Sequence, residues 1–400
     1  VQKEIRMPHY AIDLFAGCGG ISLGLRNAGW KGLFAVEKSA MAFETLEHNL
    51  ISRSSHFDWV DWLPRTEHDI TDILRNHWID LKKLNGSVDL VAGGPPCQGF
   101  SQAGKRNRSD ERNKLMNSYT RFISAVKPHM LFLENVRGFT FKGESSIAEP
   151  YSNRVSNCLE RLGYRVKSRI LDFSEYGLPQ RRKRYILVGM LSGDPEEFFQ
   201  EIERAKIGFL LEKSLQAKTT LKEAISDLQR KHGEVPSTRH RSFMEGIYGE
   251  TDSNYQKLMR QEAHRKLPDS HRFANHSKRT TKRFEYILKH CPRNREISDG
   301  TKSKFRIQKK TTIPLDGDAP CPTLTTLPDD YIHYREPRIL TVREYARIQS
   351  FPDWFEFKSS YTTGGFRRRE QVPRYTQVGN AVPPLFTELC GRVLKGMARA

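Results

Sequence analysis

AIDLFAGCGGISLGLRNAGWKGLFAVE, residues 11–37, has the pattern of a strand, a glycine turn, a helix and a second strand. Residues 11–15 form a short apolar run and read as a buried strand. Gly17, Gly19 and Gly20 then allow a tight turn and close approach of a ligand, and residues 21–29 take up helical spacing. A second strand at 32–36 ends on the acid Glu37, 18 residues beyond Gly19, where a carboxylate can accept ribose hydroxyls. The turn lacks the full GxGxxG pattern and has no Lys-Ser/Thr of a phosphate loop, so a nucleoside without phosphates suits it better than a nucleotide. A glycine-rich connection of no function is the bland alternative. Asp69 and Ile70 are placed farther along the same crevice.

Working outward, further strand-like runs at 88–92, 130–134 and 185–190 alternate with helical spacing at 41–49, 119–127 and 152–162. Such alternation predicts an α/β protein with a parallel sheet covered on both faces. The order fades between 191 and 335, with a short helix at 221–229, and helical spacing returns at 341–351 and 384–397. No internal repeat is present.

Ligands of open α/β sheets bind at the carboxyl ends of strands. One such end carries Gly93-Gly94-Pro95-Pro96-Cys97-Gln98-Gly99-Phe100-Ser101. A lone cysteine is usually a small buried hydrophobe, but here prolines stiffen the backbone and glycines leave room beside the thiol, which suits a nucleophile. A second strand end carries Glu134-Asn135-Val136, an acid after an apolar run and able to share a proton. The strand at 185–190 is preceded by Gln180-Arg181-Arg182-Lys183-Arg184, in which alternation sets Arg182 and Arg184 on one side. A thiolate can attack an electron-poor ring carbon while an acid protonates a ring nitrogen and an arginine holds a carbonyl oxygen.

Charge and cysteine usage narrow the class. The 400 residues carry a formal charge of +19, with 66 Lys and Arg against 47 Asp and Glu. The excess is uneven: residues 271–310 hold 13 Lys/Arg and 3 Asp/Glu, a local charge of +10. Further clusters occur at 105–114 and at Arg367, Arg368 and Arg369. Such clusters are either solvated faces or arms that follow a phosphate backbone, and a polyanionic partner accounts for all three together. Six scattered cysteines without a CxxC pair argue against a disulfide scaffold or zinc ribbon and fit a reducing cytosol. No apolar run approaches the ~20 residues of a membrane span, and the first residues show no apolar signal core, so a cytoplasmic protein without a membrane partner is expected.

In order along the chain, DLFAGCGG, Glu37, Asp69, GGPPCQGFS, ENV, QRRKRYILVG, RILTVREYARIQSFP and QVGNAVPP resemble the DNA cytosine-5 methyltransferases, in particular the bacterial enzymes of restriction–modification systems. Residues 191–335 are not covered, apart from Pro322-Thr323-Leu324, which is similar to the family's Thr-Leu element. The resemblance implies an S-adenosylmethionine-dependent, Rossmann-like mixed sheet with a smaller irregular target-recognition domain. The implied division is a catalytic and cofactor-binding domain at 1–190, target recognition at 191–374, and a C-terminal helix at 375–400 returning to the catalytic domain.

It also implies roles. Phe15, Gly17 and Gly19 would shape the S-adenosyl-L-methionine pocket, with Glu37 on the ribose, Asp69 and Ile70 on the adenine, and Pro96, Asn380 and Val382 completing it. S-adenosyl-L-homocysteine would be the product. Cys97 would add to C6 of a flipped-out cytosine, Glu134 would assist at N3, Arg184 would hold O2, and Arg182 would contact the substrate backbone or brace the pocket. The stretch 101–115 would close over the base. The substrate would be double-stranded DNA, the enzyme a monomer associated with the nucleoid, and its partner a cognate restriction endonuclease acting on the same site.

Two other readings make different demands. A tRNA cytosine-5 methyltransferase of the same motifs typically carries Cys-Phe-Thr in the recognition part, which is absent here. A non-catalytic DNA-binding homologue predicts loss of Cys97 or Glu134, and both are present. Cys18, Cys158 and Cys390 are expected in the core. His264, His271, His276 and Cys291 fit no zinc spacing, so the histidines are expected to touch phosphates or bases and no metal is expected. Trp59, Trp62 and Trp78 fall in a stretch that reads as surface-packed linker.

Overall fold

The computed structural model describes residues 8–95, 111–141, 150–238, 241–363 and 371–398. In chain order the first half contains β1 (Tyr10–Leu14), α1 (Gly20–Asn27), β2 (Lys31–Val36), α2 (Ala40–Leu46), α3 (Ile70–Asn76), α4 (Trp78–Lys83), β3 (Leu90–Gly93), α5 (Glu111–Val126), β4 (Met130–Val136), α6 (Tyr151–Arg161), β5 (Arg165–Asp172), β6 (Gln180–Arg181), β7 (Lys183–Met190) and α7 (Pro195–Glu212). The second half has α8 (Leu221–Ile225), β8 (Glu234–Pro236), β9 (Met244–Gly246), α9 (Asn254–Arg260), α10 (Lys278–His290), α11 (Asp299–Phe305), β10 (Ile313–Pro314), β11 (Cys321–Pro322), β12 (Tyr331–Ile332), α12 (Val342–Ile348), α13 (Arg374–Asn380) and α14 (Pro384–Met397).

These elements form two compact units, one of Val1–Asp172, Lys183–Gly208 and Val382–Ala400, the other of Phe173–Arg182 and Phe209–Ala381. The division departs from boundaries at 190 and 374: residues 191–208 stay with the first unit, the segment Phe173–Arg182 joins the second, and the return begins at Val382.

The first unit is built on a six-stranded sheet of order β2-β1-β3-β4-β7-β5. β2, β1, β3 and β4 run parallel, whereas β7 is antiparallel to both β4 and β5. The sheet is therefore mixed, and not simply parallel as strand–helix alternation alone predicts. Its central strands are buried along almost their whole length, which is why they read as continuous apolar runs. β5 lies at the edge and is largely exposed, with Arg165, Lys167 and Arg169 in alternation. That pattern blunts an open edge but has no apolar signature to betray a strand.

α1 and α14 pack closely because glycine removes side chains at the contact. A Cβ at Gly24 would collide with Thr387, and the indole of Trp30 donates to the Gly391 carbonyl at 2.8 Å. Trp59, far from being surface linker, is buried among Phe34, Phe43 and Phe57, with Trp62 against Phe34 at 5.5 Å. Trp78 is half-buried beneath Lys82 and Arg121. Cys18 and Cys390 are core as expected, while Cys158 is half-buried.

The second unit has little regular structure and is organised by buried ion pairs. The Arg347 guanidinium donates to Asp353 (2.7 Å from both Nε and Nη2), to Asp227 (3.1 and 3.0 Å) and to the Ala224 carbonyl (2.9 Å), with all three ionic side chains fully buried. Burial pushes the Asp353 carboxyl up, but Arg347 and Arg343 outweigh it and hold the group below the ordinary carboxylate range. His271 is buried with Nδ1 2.8 Å from Thr341 Oγ1, and burial pulls its pKa well down. His276 accepts from the Ile339 N–H at 3.3 Å. Both are structural, not the phosphate contacts expected of them, because their rings are committed inside the unit. Among the described residues no helix is long and apolar enough to cross a membrane.

Candidate active site

The glycine turn joins the ends of β1 and β2. Ala16 N–H donates to the Val36 carbonyl at 3.0 Å, and Phe15 and Gly17 both adopt positive φ, at 57°. A Cβ on Gly17 would meet nothing within 4 Å, so the turn borders open space there, and the glycine is required by its left-handed backbone. Gly19, the next left-handed glycine, caps α1. Glu37 is fixed by two backbone donors, Gly17 N–H at 2.9 Å and Ser39 N–H at 2.7 Å. Burial raises its pKa, and those N–H groups oppose the shift. A carboxylate so held has lone pairs left for vicinal hydroxyls.

His68 N–H donates to the Glu37 carbonyl at 2.8 Å, which draws residues 68–70 alongside. Asp69 caps α3, its Oδ1 accepting from Thr71 N–H at 2.8 Å and Thr71 Oγ1 at 2.7 Å, and Ile70 is buried. Val382 reaches the same turn, since a Cβ on Gly20 would strike its carbonyl. Asn380 is exposed at the end of α13 in the second unit.

Sequence reading passes over Asp13 in this corner. It is buried at the end of β1, Oδ2 accepting from Ser22 N–H (3.1 Å) and Oγ (2.5 Å), while Oδ1 is buried without a hydrogen-bond partner. Burial pushes this carboxyl up to about 7, against the pull of the Ser22 donors. The half-buried Phe15, the open backbone at Gly17, the fixed acceptor at Glu37 and the orphaned Asp13 oxygen fit a nucleoside bearing a polar, phosphate-free tail.

The second cluster lies across β3, β4 and β7. Arg184 pairs in register with Val136, so Glu134, two residues earlier, is its diagonal neighbour on the same face. Arg184 Nε lies 3.0 Å from Glu134 Oε1, both side chains about nine-tenths buried. Burial lowers the arginine pKa, and Glu134 opposes that shift. The other Glu134 oxygen faces Gly94, 3.4 Å from where a Cβ would sit, and Asn135 Nδ2 donates to the Pro95 carbonyl at 3.1 Å. The acid and its arginine therefore flank the strand end from which the chain runs on to Cys97. Pro96 and Cys97 themselves, like most of the stretch 101–115 and Arg367, Arg368 and Arg369, lie outside the described residues.

Arg182 has different partners. It is buried in the second unit, donating to the carbonyls of Leu324 (3.5 Å), Gly379 (3.2 Å) and Ala381 (3.3 Å). Its neighbours serve the same purpose. Gln180 accepts from Leu324 N–H at 2.8 Å and donates to Gln349, which donates to the Val378 carbonyl, and the Arg181 carbonyl accepts from Thr323 Oγ1 at 2.7 Å. QRR, PTL, RIQ and QVGN are thus stitched together by polar bonds, most of them buried. The role of Gln180 and Gln349 was not read from sequence, and the only signal was an amide within each motif. Among the described residues no group of three or more His, Cys, Asp or Glu is arranged to hold a metal ion.

Residues 10–396 match the C-5 cytosine-specific DNA methylase family. The chain is 33% identical over 393 residues to the type II methyltransferase M.DdeI of Desulfomicrobium norvegicum, covering 94% of this chain and 86% of that one. It is 29% identical to the type II methyltransferase M1.HphI of Haemophilus parahaemolyticus, covering 94% and 84%. An E. coli prophage protein described as a DNA modification methyltransferase has a similar fold, with a TM-score of 0.67 at 23% identity over 98% of this chain and 100% of its own. The α/β fold is thus the Rossmann-like methyltransferase fold, and the chain belongs to the C-5 cytosine-specific DNA methylase family as a DNA cytosine-5 methyltransferase.

Proposed function

We propose that the protein methylates C5 of a flipped-out cytosine within a defined duplex sequence, using S-adenosyl-L-methionine and a covalent Cys97–C6 adduct. The observation that carries this reading is the buried Arg184–Glu134 pair beside Gly94 and Pro95, at the strand end that leads to Cys97. Phe15 would lie against adenine, Glu37 would take the ribose hydroxyls, and Asp69, Ile70 and Val382 would border the ring, with Pro96 and Asn380 completing the pocket. When bound, the cofactor supplies an electrophilic methyl group on a sulfonium.

The target must first leave the stack, which costs a few kcal/mol, roughly the cost common to base-flipping enzymes. The Cys97 thiolate then forms a bond to C6, and Glu134, orienting on N3, delivers a proton there so that the electron pair gathers at C5. Arg184 holds O2 and keeps Glu134 aimed. After C5 takes the methyl group, a base removes the C5 proton, the C6–S bond breaks and Cys97 leaves as thiolate, with N3 giving up its proton. Arg182 braces the Thr-Leu element and does not touch the base.

The second unit would choose the sequence. α10 buries Phe284 and Ile287 and presents Lys278, Arg279, Lys282 and Lys289 outward, a face suited to the phosphate backbone. A monomer in the cytoplasm, associated with the nucleoid and paired with a cognate restriction endonuclease, is the setting that suits a type II methyltransferase.

Incubation with a random-sequence plasmid library and S-adenosylmethionine, followed by mapping of 5-methylcytosine, tests the reading. Modification at one defined motif is expected; modification only of RNA, or of no cytosine, would overturn it. In the cofactor pocket, Glu37→Ala should weaken S-adenosylhomocysteine binding about 10- to 100-fold, the worth of hydrogen bonds to a charged group. Calorimetry checks this, and a change below about threefold, under 1 kcal/mol, would remove Glu37 from the pocket.

A further inference from the structure

Arg272 lies in a short extended segment of the second unit. Its backbone bridges Glu245 antiparallel, Gly246 N–H donates to the His271 carbonyl at 3.0 Å, and Phe273 N–H donates to the Met244 carbonyl at 2.9 Å. Alternation turns His271 and Phe273 inward, each 1% exposed, and sends Arg272 to the other side. There its guanidinium is held by two rings, Tyr361 with the centroid 3.7 Å away and Phe243 at 4.1 Å. Tyr361 in turn carries Arg374 at 4.4 Å, and Arg374 is anchored by donating to the Ser359 carbonyl and Ser270 Oγ, both at 2.9 Å.

Several other ring-stacked arginines of this unit have polar partners, whereas Arg283, over Phe284 at 5.4 Å, meets a single ring. Arg343 and Arg338 spend their N–H groups on carbonyls and carboxylates, as Arg374 does on Ser359 and Ser270. Among the described residues the Arg272 guanidinium makes no hydrogen bond and no ion pair within 4 Å; the Glu245 charge acts on it from farther off, with that carboxylate accepting from Ser237. Ring contacts this close occupy the faces of a planar cation and leave its N–H edge for a partner.

We propose that Arg272 reads a guanine of the recognition sequence, its N–H edge donating to O6 and N7. The inference rests on duplex DNA being the substrate. A phosphate can be met by any flexible cation, and the outward face of α10 supplies several. Clamping a guanidinium in one plane matters when the acceptors are a fixed coplanar pair, and guanine alone presents two acceptors side by side in the major groove. Adenine sets a donor beside its N7, while cytosine presents a donor and thymine a single acceptor.

The test compares wild type with Arg272→Ala and Arg272→Lys on the random-sequence library. Arg272→Lys keeps the stem and charge but loses the fork, so it serves if the alanine variant fails to fold. One guanine position should lose its requirement, discrimination there falling about 10- to 100-fold in both variants. Placing 7-deazaguanine at that position should slow the wild type about 10-fold and the variants no further. Unchanged sequence preference, with uniformly weaker DNA binding and a salt slope smaller by about 1, would overturn the proposal in favour of a phosphate contact. Failure of the wild type to methylate any cytosine would instead overturn the reading beneath it.

Discussion

Replacing Cys97 by alanine is expected to slow methyl transfer by about 10⁴-fold or more while leaving DNA affinity within about threefold of wild type. C5 of neutral cytosine is a poor nucleophile, and addition of a thiolate at C6 is what makes it reactive. Glu134 and Arg184 can hold the ring without Cys97, but neither supplies the electron pair. Affinity should survive because most of it comes from cations meeting phosphates, which the substitution leaves alone. Single-turnover transfer of labelled methyl, with a gel-shift measurement on the same preparation, separates the two effects. Turnover within tenfold of wild type, roughly 1.4 kcal/mol in barrier, would rule out a nucleophilic role.

The largest expected effect on stability is at Arg347. Arg347→Met leaves Asp227 and Asp353, both fully buried, without their shared cation. Breaking a buried pair in this way costs about 3–5 kcal/mol, which corresponds to a fall of roughly 10 °C in the melting transition of the second unit. Adding Asp227→Asn and Asp353→Asn should recover much of the loss, because it removes two buried charges that Arg260 and Arg343, at 3.6 and 3.7 Å, only partly compensate. The pH dependence carries the same information. Asp353 is held below its ordinary range, so it contributes stability at neutral pH that is lost as the pH falls below about 4, through the depressed folded value. Arg347→Met should flatten that acid limb. A melting point within 2 °C of wild type, roughly 1 kcal/mol or less, would show that the network is not holding the unit together.

The parts of the fold that could be read from residues alone are those with a strong local period or a demanding backbone. β1 and its turn are legible because a short, mostly apolar run stops at glycines, and Gly17 and Gly19 do sit at positive φ. β3, β4 and β7 are legible because strands buried on both faces are apolar throughout. β5 is not, because an exposed edge strand of alternating cations resembles a polar loop. The antiparallel placing of β7 between β4 and β5 is a tertiary fact with no local signature.

The site was legible to the same degree. Glu134 and Arg184 could be named from strand ends, but their 3.0 Å pairing depends on the β4–β7 register. Arg182 stands two residues from Arg184, and nothing in QRRKR tells that one side chain serves carbonyls 142 and 197 residues away in sequence. Arg347 reads as one cation in an amphipathic helix until Asp227, 120 residues upstream, is seen against it. Arg272 is hidden inside the +10 segment, where Lys304 also lies over two rings and only the closeness of both of its rings, 3.7 and 4.1 Å, sets Arg272 apart.

The whole mechanism depends on a bond between Cys97 and the target base. A duplex carrying 5-fluorocytosine at the methylated position tests it most directly, because fluorine at C5 cannot be removed as a proton and elimination is blocked. With S-adenosylmethionine present, wild-type protein should migrate as a protein–DNA adduct after denaturation, with Cys97 as the modified residue by mass spectrometry and no adduct from Cys97→Ala. Recovery of free protein from a duplex that is methylated at the same position when it carries ordinary cytosine would contradict the account.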